Sequence, residues 1–281
     1  MAKYSALAIS TSYWKPGCDY LSKLTEALEG KVHDGDFVVV SEKALSTATG
    51  QIIDEAKVSP DRNARFIAGF WMRRVWGGPL GVLCGFGPRL LARLRSYPLE
   101  GGARHKQVAL ERSGLLGALM FGSEGGIDGS NLALSYVSLP LGDADAFAVG
   151  IQAEIRRRLG RRVCVIIADT DKTYRFGGFY FTPRPRPLRG IYSFGGVVSY
   201  VLGRLLGLRR SSTPLAVSGC VLGAGEALTV TNIADRARGV GSGATVWDMA
   251  SRFGVAVEDV SWAMLDGVVH KPVVLVRRAM L

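Results

Sequence analysis

Histidine, cysteine, asparagine and glutamine are scarce in this 281-residue sequence, and it has no long apolar run. The three histidines, His33, His105 and His270, stand in no HxH or HExxH spacing, which excludes the common zinc-hydrolase centres. The four cysteines, Cys18, Cys84, Cys164 and Cys220, form no CxxC pair. Neither a zinc ribbon nor a disulfide scaffold is indicated, and reduced thiols in a cytoplasmic protein are expected. No GxSxG elbow and no GxxxxGK[ST] loop occurs, which argues against an α/β-hydrolase and a P-loop protein. Three glycine-rich apolar stretches, 75–87, 191–203 and 214–230, are too short or carry a charge such as Glu226, so none is expected to span a membrane. The first ten residues lack a signal-peptide core and suit a first strand.

Basic charge is what the sequence has in excess. Lys plus Arg is 35 against 24 Asp plus Glu, a formal charge of +11, and arginine supplies most of it. Two readings stay open. Few labile amides and many arginines suit a heat-adapted chain, or the charge serves a polyanionic partner. Arginines cluster at 156–162, 184–189 and 204–210, but aromatic residues do not interleave with them as in RNA-binding modules, so nucleic acid is disfavoured. The apolar segment 197–210 ends in Arg204, Arg209 and Arg210. It suits contact with a membrane surface or a buried helix whose basic end complements its dipole.

Apolar residues make up 48% and charged residues 21%, which excludes a disordered chain and allows a substantial core. Strands are predicted over 5–9, 37–40, 163–168 and 272–276. Helices are predicted over 19–28, from Ser59 and Pro60 onward, and over 143–159, 247–253 and 257–265, with loops over 122–131 and 169–178. No regular βαβ beat and no repeat is visible, so an α+β (mixed α/β) fold is expected. The chain reads as one unit over 1–281, with two subdomains as the alternative and 191–227 as an apolar, basic insertion.

Three places combine the residues that phosphate chemistry needs. The apolar strand at 163–168 delivers Asp169 and Thr170 at its C-terminal end, where α/β sheets bind ligands. Such oxygen donors suit Mg²⁺ or Mn²⁺, or simply a turn capped by the Asp side chain. Gly125-Gly126-Ile127-Asp128-Gly129-Ser130-Asn131 exposes backbone amides and offers Asp128 and Asn131, although ordinary turn chemistry reads the same way. The run Val38-Val39-Val40 leads into Ser41-Glu42-Lys43, and Lys43 could meet a phosphate or water. Residues 239–243, Gly-Val-Gly-Ser-Gly, follow no convincing strand but could close over phosphates.

Read together, these places resemble the coenzyme F-420-0:L-glutamate ligase (gamma-glutamyl ligase) family. Asp34-Gly35-Asp36-Phe37-Val38-Val39-Val40 with Lys43 and Ser46, Gly126-Ile127-Asp128-Gly129-Ser130-Asn131, and Ile167-Ala168-Asp169-Thr170 with Tyr174-Arg175 and Gly177 are similar to its motifs. So is Pro187-Leu188-Arg189-Gly190 with Gly195, and the likeness covers most of residues 10–195. The resemblance implies the family's mixed α/β fold, a homodimer, and GTP-dependent amide ligation of L-glutamate to a carboxylated, anionic acceptor such as coenzyme F-420-0. It implies Mg²⁺ or Mn²⁺, with K⁺ as a further ion. It assigns Asp128, Asp169 and Thr170 to metal and Glu42, Lys43 and Asn131 to the nucleotide, and no protein nucleophile. Lys172 and Arg175 are candidate substrate or phosphate contacts. This sequence departs from the family where Glu42 replaces a histidine and Thr47 a lysine, where Asp171 adds a carboxylate, and where the loop after Thr170 loses an Arg-Pro. The departures leave open a different acceptor or nucleotide activity, and the charge leaves open a non-catalytic anion-binding or nucleic-acid-binding protein.

Overall fold

The computed structural model describes residues 4–122 and 124–279. In chain order the strands are β1 (Tyr4–Thr11), β2 (Phe37–Ser41), β3 (Ile52–Asp54), β4 (Tyr136–Ser138), β5 (Cys164–Phe176), β6 (Phe179–Thr182), β7 (Tyr192–Ser193), β8 (Arg209–Ser218) and β9 (His270–Arg278). The helices are α1 (Tyr20–Leu28), α2 (Glu42–Ala48), α3 (Arg62–Phe66), α4 (Pro79–Leu83), α5 (Pro88–Arg95), α6 (Glu100–Ala118), α7 (Ala144–Leu159), α8 (Val197–Leu205), α9 (Ala224–Arg238), α10 (Val246–Phe253) and α11 (Trp262–Asp266). A wide π-helical stretch, Ile67–Trp76, continues α3. The fold is α+β.

The sheet runs β1-β9-β2-β5-β6-β7, with β8 also paired to β5. Among the described strands, only β2–β5 and β6–β7 are parallel. Alternation along β2, β5 and β9 divides the core between two faces. Val38, Val40, Val165, Ile167, Val273 and Leu275 pack with residues of α1, α2 and α7. Phe37, Val39, Ile166, Val274 and Val276 pack against Val230 and Ala234 of α9. Asp19 caps α1 and Asp143 caps α7, while Gly160 ends α7 in the left-handed conformation. A separate helical cluster forms around Met72, Trp76, Leu94 and Val108.

Several expectations can be set against these elements, and some need correction. The expected loop after Ala168 is strand, because β5 continues to Phe176 across an irregularity in its pairing with β8 between Asp169 and Lys172. The stretch 214–230 resolves into the end of β8 and the start of α9, and no helix among the described residues is long and apolar enough to cross a membrane. The expected helix over 257–265 divides into a 3₁₀ turn, Val257–Asp259, and α11. Cys164 and Cys220 are joined in a disulfide, not reduced. Antiparallel β5–β8 pairing, with Val165 opposite Ser218, brings together thiols 56 residues apart, a closure that cysteine spacing could not reveal. Residues 191–227 supply β7, α8, β8 and the first turn of α9, so β8 lies within the main sheet.

Candidate active site

β2 ends beside the middle of the parallel strand β5, with Ser41 opposite Ala168. The chain turns there into α2, whose first residues are Glu42 and Lys43, and into the irregular stretch that carries Asp169, Thr170 and Asp171. Local irregularity at a strand end redirects side chains, and it is common beside active sites. Here it leaves Thr170 exposed and Asp171 buried.

Two charged groups form at this edge. Lys43 Nζ is ion-paired to Asp128 and donates to Ser130 Oγ at 2.8 Å. Asp128 is held in the glycine-rich turn by the Ser130 amide, which donates to its Oδ1 at 2.7 Å, and by a bridge to Ser138. The second group centres on Arg184, which is 2% exposed. Its guanidinium donates to Glu42 Oε1 at 2.5 Å, Asp169 Oδ2 at 2.7 Å and the Gly125 carbonyl at 2.5 Å. Gly126 has φ +96°, and a Cβ there would lie 2.4 Å from the guanidinium carbon of Arg184, so this close approach needs glycine.

The electrostatics follow from burial and crowding. Burial pushes the Glu42 carboxyl up to about 7, with Arg184 opposing the rise and Asp169 adding to it. Burial also raises Asp171 well above the usual carboxylate range, and the charges of Asp169, Asp128 and Glu42 add to that rise. Burial disfavours the Arg184 cation, but Glu42 and Asp169 outweigh it and keep the guanidinium charged. Four carboxyl groups thus share one field with two side-chain cations, Lys43 and Arg184.

The expected site residues do not all meet. Lys43 and Asp128 meet directly, while Asp169 pairs with Arg184. Glu42 lies behind Arg184, where its carboxylate also accepts from the Leu141 amide at 2.8 Å. Asn131 (φ 59°) is tied to the glycine-rich loop, its Oδ1 accepting from the Ser242 amide at 2.6 Å and its Nδ2 donating to the Gly243 carbonyl at 3.2 Å. Lys172 instead pairs with Asp235 at 3.1 Å, and Arg175 lies over the Tyr180 ring. Thr47, at the position of the family's second lysine, donates to the Lys43 carbonyl within α2. Arg184 was visible in the sequence only as one arginine of the Pro-Arg run Pro183-Arg184-Pro185-Arg186.

Cavities flank the cluster on two sides. One, of about 230 Å³, is lined by Asp128 and Ser130 together with Tyr97, Phe121, Tyr136 and Trp247. The other, of about 460 Å³, is lined by Glu42 and Arg184 with Leu141, Pro187 and Leu215.

A metal is implied by the family resemblance, so the donors need testing against one. Among the described residues no three carboxylate, imidazole or thiolate groups converge into a metal cage. Mg²⁺ seldom uses such a cage, since one or two carboxylates plus phosphate oxygens and waters suffice. The donors are all hard oxygens, so the set fits a divalent ion in kind.

Fold and site define an α+β protein with a charged cluster between two cavities. The sequence profile of the F420-0:Gamma-glutamyl ligase family matches residues 8–183, and the chain belongs to that family. It is also 34% identical to the uncharacterized protein MJ1361 of Methanocaldococcus jannaschii over 284 aligned residues, covering 97% of this chain and 96% of the relative.

Proposed function

We propose that the chain is a GTP- and divalent-metal-dependent ligase that forms an amide bond between L-glutamate and a carboxylated anionic acceptor such as coenzyme F-420-0. The observation that carries this reading is the charged cluster of Lys43, Asp128, Asp169 and Arg184 between two cavities. An acceptor carboxylate oxygen attacks the γ-phosphorus of GTP, GDP leaves, and an acyl phosphate forms. The glutamate amine then attacks the acyl carbon, and phosphate leaves as the nitrogen gives up a proton. No protein nucleophile is required, so rate comes from positioning and electrostatics.

Asp128 and Asp169, with Thr170 at the strand irregularity, would hold Mg²⁺ or Mn²⁺, which when bound neutralises triphosphate charge. Lys43, freed from Asp128 by phosphate, places a point charge on the nucleotide. Glu42 acts through Arg184, fixing its guanidinium against Asp169. Asn131 holds the loop at 239–243 over the cleft.

Incubation with GTP, Mn²⁺, L-glutamate and the deazaflavin acceptor should yield GDP and a product one glutamyl unit heavier. Asp169→Asn should lower turnover about 100-fold or more. Wild-type protein that forms neither GDP nor product would defeat the proposal. A different acceptor or nucleotide is the second reading, favoured by Glu42 and Thr47, which are occupied internally where the family resemblance implies phosphate contacts. Thermal-shift titration over nucleotides separates the readings. At a ligand concentration about 100 times its Kd, the preferred nucleotide with Mn²⁺ adds about 2.7 kcal/mol of stability.

The protein is further proposed to form a homodimer. Support comes from the apolar side chains of Phe176, Phe179, Tyr192, Val198, Leu202 and Leu205, which are exposed on and around β6, β7 and α8.

A further inference from the structure

A third cavity, of about 570 Å³, opens where β5, β8 and α9 meet, on a different part of the sheet from the charged cluster. Arg175, Arg209, Arg210 and Arg236 line it, and none of its lining residues is acidic. Among the described residues none of the four arginines forms an ion pair with a carboxylate, although other arginines do, such as Arg93 with Asp248 and Arg184 with Asp169. Arg175 and Arg209 are direct cross-strand partners, so the fold itself opposes two like charges. Neutral donors join them. Tyr180 and Asn232 line the cavity, and Gly225 in the first turn of α9 lets the Tyr180 hydroxyl approach the helix, since a Cβ there would lie 2.7 Å from it.

Like charges gathered in a concave, polar basin repel one another until an anion fills it. The concavity suits a small molecule better than a nucleic-acid backbone or a flat lipid surface. Arg209, Arg210 and Arg236 all lie beyond residue 183, where the family match ends. We infer that this basin is a second anion site, which takes a small ligand bearing phosphate groups.

The site lies six residues along β5 from Asp169, within about 20 Å at the rise of a strand. Two sources supply the same chemistry: a phosphate group on the acceptor itself, or a free phosphorylated effector.

Calorimetric titration with inorganic pyrophosphate in metal-free buffer tests the site. Binding is expected in the wild type and in Asp169→Asn, weakening as salt rises. It should fall about 10-fold or more in Arg236→Gln on α9 and in the Arg209→Gln/Arg210→Gln pair on β8. Arginine variants that fold and bind as tightly as wild type would overturn the inference, as would loss of binding in Asp169→Asn alone. The acceptor version rests on the proposed ligase activity. It requires Arg236→Gln to raise the acceptor KM with kcat retained, whereas the effector version requires pyrophosphate to alter wild-type turnover and leave that of Arg236→Gln unchanged. Absence of ligase activity alongside intact pyrophosphate binding would remove the catalytic reading and leave the basin standing.

Discussion

Arg184 holds two acids that lie 142 and 15 residues away in the chain. Removing it leaves Glu42 and Asp169 without their shared cation. Arg184→Met is therefore expected to cost about 3–5 kcal/mol of folding stability, measured by chemical denaturation. A second residue-scale prediction concerns His105, whose ring lies between Glu55 at 2.6 Å and Glu124 at 3.3 Å. Burial alone would lower its pKa, but the two carboxylates outweigh burial and raise it from 6.5 to about 10. A cation gained on folding stabilises fully below its unfolded pKa, and that contribution disappears as pH rises through the folded value. Stability should thus fall between pH 6.5 and about 10, by on the order of 5 kcal/mol. His105→Gln should flatten that slope in denaturation curves recorded across the range. At this scale the sequence singled out Lys43, Asp128 and Asp169, because each sits in a short local pattern. It hid Arg184 and His105, because their importance comes from partners distant in the chain or on other elements.

At the scale of elements, β5 joins the site to the rest of the sheet. Its apolar half was readable as a buried strand, but polar residues from Asp169 to Lys172 resembled a loop. Pairing with β8 overrides that local preference. The same pairing closes the Cys164–Cys220 disulfide. In the chain-entropy view, a cross-link spanning 56 residues is worth about 4 kcal/mol. Cys220→Ser, or reduction of the wild type, should lower the unfolding free energy from denaturation curves by about that amount, while Cys18→Ser should not. The glycine-rich turn makes a sharper demand. Gly126→Ala would place a methyl group against Arg184 on a backbone with φ +96°. Turnover should fall more than stability, because the displaced guanidinium no longer aligns Asp169. Kinetics and melting curves on one preparation test that split.

For the whole molecule, the excess of basic charge divides between functions that composition could not separate. Some arginines close helix ends, as Arg156, Arg157 and Arg158 do in the last turn of α7. Arg184 is neutralised inside the site, and the four around the third cavity face one another. The α+β class was readable from mixed strand and helix periodicities, whereas strand order was not, because pairing partners lie far apart in the chain. If the exposed apolar surface around α8 joins two copies, Leu202→Glu should shift the mass measured by light scattering from dimer to monomer. The order of strands has one more consequence. β9 lies between β1 and β2, and of all the strands in the sheet it is the last to be translated. Until it leaves the ribosome, β1 has no neighbour in the sheet and one edge of β2 is bare, so the nascent chain carries open strand edges through most of its synthesis. β1 can therefore join the sheet only after β9 has been translated, and chaperone occupancy of the nascent chain should persist until β9 appears.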